Sequence, residues 1–201
     1  MSVNTPRRSR PSTDSDRSAA NGRTIRSLTV VAGPAAVGKT RLLEHLATDE
    51  QLRDRLRVPR APTVTAGEFF KRSPSGPIDE LILHYDILSP HHKGLESHTA
   101  DPAMSMLDHA ETIAFFTLRT THERLVAQLN GRITARRHVP WKLRKLRPLY
   151  ESDLFVADWY ERWFAFVKRF REVTERNYLI DVHRGYALAE VSAYSTLPSS
   201  R

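Results

Sequence analysis

The feature that most constrains this 201-residue chain is an octapeptide, Gly33-Pro34-Ala35-Ala36-Val37-Gly38-Lys39-Thr40, with the spacing G-x-x-x-x-G-K-[ST]. The short apolar run Leu28-Thr29-Val30-Val31-Ala32 precedes it, and Leu42, Leu43 and Leu46 share one helical face after it. A buried strand, a glycine turn and an amphipathic helix in direct succession open an α/β unit. The two glycines let the backbone curl so that several N–H groups point inward, and the helix N-terminus adds a dipole that favours an anion. The spacing therefore implies a phosphate cradle formed by residues 33–40, with Lys39 reaching the outer phosphates and the Thr40 hydroxyl placed for Mg²⁺.

The rest of the chain repeats strand and helix signals. Leu52 and Leu56 extend the first helix, Val64-Thr65-Ala66 reads as a short strand, and Ser73-Pro74-Ser75-Gly76-Pro77 as a loop. Leu81-Ile82-Leu83-His84-Tyr85 is a stronger strand closing at Asp86. Asp101-Pro102 opens a helix to about His109, and Ile113-Ala114-Phe115-Phe116-Thr117-Leu118 is a buried strand. Thr120 and Glu123 have capping-box spacing, Leu125, Val126 and Leu129 form a stripe, and Asn130-Gly131 is a stop signal.

Residues 132–147 are basic and lack a clean period. Ser152 then caps a long helix whose stripe of Phe155, Trp159, Trp163, Phe166 and Phe170 is read as core packing. Tyr178-Leu179-Ile180-Asp181-Val182 is the last strand and residues 186–193 a short final helix. The expected fold is α/β, a three-layer sandwich around a mainly parallel sheet of about five strands. One domain spans residues 25–194, between a basic Ser/Arg-rich tail (1–24), expected to be disordered, and a flexible C-terminus (195–201).

The chain has no cysteine, which excludes disulfides, thiolate metal sites and cysteine nucleophiles. No apolar run approaches the roughly 18–20 residues of a membrane span, and no secretory h-region opens the sequence, so a cytoplasmic protein is expected. The net charge of +8 is uneven, with eight Lys/Arg and no acid in residues 124–150. That pattern points to one cationic segment meeting an anion rather than a uniformly basic nucleic-acid surface. Trp141 stands in the segment without other aromatics at regular spacing, so nucleic acid is a disfavoured partner. Oligomeric state is not readable.

The octapeptide, called Walker A in that superfamily, and the strand and helix order through residue 190 resemble the P-loop NTPase superfamily. Within it, the fourth strand followed by a helix and an Arg-bearing segment is similar to the small nucleoside and nucleotide kinases. The resemblance implies an ATP-binding protein that uses Mg²⁺, with the nucleotide held by Gly33, Pro34, Ala35, Ala36, Val37, Gly38, Lys39 and Thr40. An apolar strand ending in an acid is the Walker B expectation. Asp86 fits it, either in the Mg²⁺ shell beside Thr40 or as base toward an acceptor hydroxyl; the plain alternative is a turn residue. His84 shares its strand face, where a histidine is most often a core or rim residue.

The same resemblance implies Arg119 at the site-facing end of its strand and Arg132, Arg136 and Arg137 as lid arginines within a segment of about 131–148. Guanidinium groups there pair with phosphate oxygens and help exclude water. The opening Ala32-Gly33-Pro34 also resembles guanylate kinases, but their Arg-rich acceptor signature is missing, and Thr65, Gly67 and Glu68 stand in that region instead. The absence of an Asn-Lys-x-Asp motif disfavours GTPases. The expected function is transfer of the ATP γ-phosphoryl group to an unidentified small-molecule acceptor. The alternatives are a nucleotide-binding regulatory module without turnover and a sulfotransferase-like P-loop protein.

Overall fold

A computed structural model of the chain describes residues 24–72, 76–87, 95, 101–135 and 141–190. The basic tail apart from Thr24, the Ser73-Pro74-Ser75 part of the expected loop, Arg136, Arg137 and residues 195–201 lie outside the described residues. The elements are β1 (Ile25–Ala32), α1 (Lys39–Thr48), α2 (Glu50–Leu56), β2 (Thr63–Val64), α3 (Ala66–Arg72) and β3 (Ile78–His84). They continue with α4 (Pro102–Asp108), β4 (Ala110–Arg119), α5 (His122–Thr134), α6 (Trp141–Tyr150), α7 (Asp153–Val167), β5 (Thr174–Asp181) and β6 (Ala187–Glu190).

Six strands form one sheet in the order β2-β3-β1-β4-β5-β6. Pairings among β1 to β5 are parallel, and β6 joins β5 antiparallel. The central strands β1 and β4 are buried along most of their length, as expected of strands covered on both faces. Alternation sends Leu28, Val30, Ile113 and Phe115 into one core, shared with Phe69, Met104, Leu107, Trp159 and Trp163 from α3, α4 and α7. Val31, Phe116 and Leu118 point into the other, shared with Leu42, Leu52, Leu125, Leu146 and Tyr150 from α1, α2, α5 and α6. Helices therefore cover both faces of a mostly parallel sheet.

Trp159, Trp163 and Phe166 of α7 are core, as their period implied, with Phe170 buried just past the helix end, whereas Phe155 is half-buried against the core on the other face of the sheet. Ser152 accepts a hydrogen bond from Phe155 N at 3.4 Å to cap the helix. Trp159 and Trp163 are fully buried, and Trp163 Nε1 donates to Thr117 Oγ1 at 2.7 Å. That bond satisfies the one polar atom of a side chain otherwise packed against Tyr85, Phe115 and Phe166.

Five local expectations are corrected. The first helix ends at Thr48, and Leu52 and Leu56 lie on α2, because Asp49 caps it through Leu52 N at 2.9 Å. The cap of α5 is Thr121, which accepts from Arg124 N, rather than Thr120. Asn130-Gly131 does not stop α5, which runs on to Thr134 and packs Ile133 against the core; a helical glycine costs only about 1 kcal/mol, which that packing can offset. The basic stretch contains α6, anchored by the buried pair Leu146 and Tyr150 one turn apart, with Pro148 tolerated in its last turn. The expected final helix is instead strand β6: Gly185 (φ 63°) and Tyr186 (φ 60°) are consecutive left-handed residues that reverse the chain onto β5.

Candidate functional site

From β1 the chain is followed on one side of the sheet by β3 and on the other by β4. Crossovers diverging from a central strand leave a crevice outside the carboxyl ends of the strands, where α/β sheets place their ligands. Residues 33–38 fill that position. Gly33 has φ 153°, and a Cβ on it would lie 2.8 Å from Val37 Cγ1 and 3.0 Å from the Leu118 carbonyl oxygen. Gly38, at φ 107°, is the N-cap of α1. Ala36 is left-handed as well, at φ 65°. Such alternation of backbone hand turns successive amides toward one concavity. The first turn of α1 holds no acidic residue, and Gly38 brings no capping side chain, so the positive end of the helix faces the loop unneutralised.

Lys39 is buried, and its ammonium is held at three points. Nζ donates to the carbonyl oxygens of Gly33 at 2.8 Å and Pro34 at 3.1 Å, and lies 3.2 Å from Asp86 Oδ1. Burial pushes its pKa below the usual lysine value; Asp86 opposes the shift, and the positive charge of Arg132 adds to it. Asp86 follows the end of β3 with its side chain 57% exposed, so the carboxylate faces outward while gripping Lys39. His84, opposite Val31 in the register of β1 and β3, is held below the usual histidine pKa by burial and then by Lys39. Its Nε2 is buried without a hydrogen-bond partner. Arg132 is exposed, and its charge acts on both Lys39 and His84.

The structure thus brings Lys39, Asp86 and the field of Arg132 together at the mouth of the 33–40 loop, with Thr40 exposed on the first turn of α1. Arg119 is turned to a different partner. Its Nε lies 3.6 Å from Asp181 Oδ2 at the paired ends of β4 and β5. Asp181 is buried and also meets His183 and, at 3.9 Å, Arg184. Val182, the next residue, stands 3.5 Å from where a Cβ on Gly38 would lie, which brings this cluster to the flank of the loop. Thr65 and Glu68 cap the start of α3, where Glu68 Oε2 accepts from Thr65 N at 3.0 Å and Thr65 Oγ1 at 2.9 Å, and the charge of Glu68 also acts on His84. Arg136 and Arg137 lie outside the described residues.

Two participants were not anticipated. Asp181 carries the same signal as Asp86, an apolar strand closed by an acid, and was legible on that ground. Tyr150 was not. Its hydroxyl accepts from Ala35 N at 2.9 Å across 115 positions of sequence, a distance no local pattern spans. Its carbonyl oxygen accepts from His122 Nε2 at 2.8 Å, and His122 Nδ1 lies 2.6 Å from Asp153 Oδ1.

Among the described residues, no group of three or more His, Cys, Asp or Glu side chains could hold a metal ion by itself. Thr40 and Asp86 are hard oxygen donors exposed at the loop mouth, a set that fits Mg²⁺ carried mainly by phosphates and water. No helix among the described residues is long and apolar enough to cross a membrane. No protein-family model and no curated protein matches the chain.

Proposed function

We propose that the chain is a P-loop phosphotransferase that binds ATP through residues 33–40 and passes the γ-phosphoryl group to a small-molecule hydroxyl. The observation that carries this reading is the 3.2 Å approach of Lys39 Nζ to Asp86 Oδ1 at the mouth of a glycine loop that opens a helix. A cation beside an anion cradle, paired with a carboxylate from the adjacent strand end, is the minimum set for phosphoryl transfer. An arriving triphosphate competes with Asp86 for the ammonium. Lys39 then moves its charge onto the phosphate oxygens, and Asp86 is freed either for the Mg²⁺ shell or to act as base toward the acceptor hydroxyl. Thr40, and Asp86 in the first of these roles, would hold Mg²⁺, which would supply charge neutralisation on the phosphates. Arg132 adds positive field on the open side.

Calorimetry with ATP, GTP and a nucleotide sulfate donor, with and without Mg²⁺, tests the reading on wild type and Lys39→Met. Tight Mg-ATP binding by the wild type and at least tenfold loss in Lys39→Met are expected. A metabolite panel follows, in which Asp86→Asn lowers turnover about 100-fold at equal folding. Binding without turnover on any acceptor would instead support the regulatory module. Preference for the sulfate donor would support the sulfotransferase-like reading.

A further inference from the structure

We propose that Tyr150 is a positioning residue for the phosphate loop, registering the loop and the basic helix α6 against each other through one hydroxyl. The residue is held at both ends. Its phenol oxygen takes the Ala35 N–H at 2.9 Å, while its carbonyl oxygen takes His122 Nε2, which is tied through Nδ1 to Asp153. The N-terminal turns of α5 and α7 and the C-terminal residue of α6 are thereby fastened to the third residue of the loop. The ring is 1% exposed and packs on Phe155 with centroids 5.3 Å apart. Movement of α6 therefore cannot leave the loop unaffected.

The bond also selects which amides face a ligand. An amide N–H has one proton to give, and that of Ala35 is given to Tyr150, so phosphates are left to the later amides around Gly38 and the first turn of α1. Burial raises the pKa of the phenol, so it stays protonated at neutral pH. Asp86 grips Lys39, the side chain that reaches the outermost phosphates. The Pro34–Ala35 peptide unit that gives its N–H to Tyr150 also gives its carbonyl oxygen to Lys39 Nζ at 3.1 Å, so loss of the phenol loosens the hold on Lys39 and is expected to weaken ATP more than ADP. A merely structural residue would weaken both alike.

The nucleotide arm of the test rests on the phosphotransferase reading; the exchange arm does not. Tyr150→Phe keeps the ring and removes the hydroxyl. In the ligand-free protein, hydrogen exchange at the Ala35 amide is expected to accelerate at least tenfold. By calorimetry with Mg²⁺, ATP affinity is expected to fall about three- to tenfold, the scale of one hydrogen bond, and ADP affinity less than twofold. Unchanged exchange at Ala35, or equal losses for ATP and ADP, would overturn the proposal. If the wild type binds neither nucleotide, the functional reading fails, while Ala35 exchange still decides the role of Tyr150. Should Tyr150→Phe not fold, His122→Gln loosens Tyr150 from its carbonyl side. The same ATP-selective loss is expected there, and an equal loss for both nucleotides overturns the proposal.

Discussion

At Gly33 the backbone sits at φ 153°, with no room for a methyl group between Val37 and the Leu118 carbonyl. Gly33→Ala is therefore expected to cost about 2–3 kcal/mol in urea unfolding, the scale of overpacking combined with backbone strain. Lys39 presents the opposite case, a residue whose proposed role in phosphate binding opposes stability. Burial lowers its pKa below 10.5, so the folded state disfavours the charged form. Between that lowered value and 10.5 the unfolded chain binds more protons than the native one, and stability rises with pH. Lys39→Met is expected to raise Tm at pH 7 and to flatten that rise, as calorimetric scans across pH would show. A lower Tm in the variant would mean that the bonds to Gly33, Pro34 and Asp86 outweigh the burial cost. Both residues were identifiable from the sequence because the octapeptide fixes their types and spacing. The role of Tyr150 was not, because it depends on a contact made only after the sheet has formed.

Among the elements, α7 shows how far a periodic signal reaches. Its aromatic spacing identified the buried face, and the structure adds the partner, Thr117 on β4. Trp163→Ala is expected to lose about 3–5 kcal/mol, and Trp163→Phe about 1 kcal/mol for the lost hydrogen bond with its packing largely kept, both measured by chemical denaturation. Helix α6 was hidden because its buried Leu146 and Tyr150 stand among basic residues and a proline. Strand β6 was hidden because its turn needs a left-handed Tyr186, and tyrosine gives no turn signal. Helix α5 carries Arg132, an exposed residue whose charge acts on Lys39. Arg132→Ala is expected to weaken ATP two- to fivefold at low salt and less at high salt, because exposed charges are screened. An effect independent of salt would point to direct contact instead.

For the whole molecule, the mostly parallel sheet follows from alternating strand and helix signals, and its order sets what meets the loop. β3 lies beside β1, so Asp86 reaches Lys39. β4 and β5 end together, so Arg119 is drawn to Asp181. Strand order is not a local property of sequence, which is why Arg119 was legible as the site-facing end of its strand while its ion pair with Asp181 was not. Thr65 and Glu68 were similarly legible as polar residues of that region, while their mutual bonds at the start of α3 were not. The central claim is that this sheet places a phosphate-binding cation and a strand-end carboxylate at one crevice. Titration calorimetry of Mg-ATP into wild type and Lys39→Met tests it most directly. The account predicts binding by the wild type and at least tenfold weaker binding by Lys39→Met with the fold intact. Equal affinity in the two proteins, or no binding by the wild type, would contradict it.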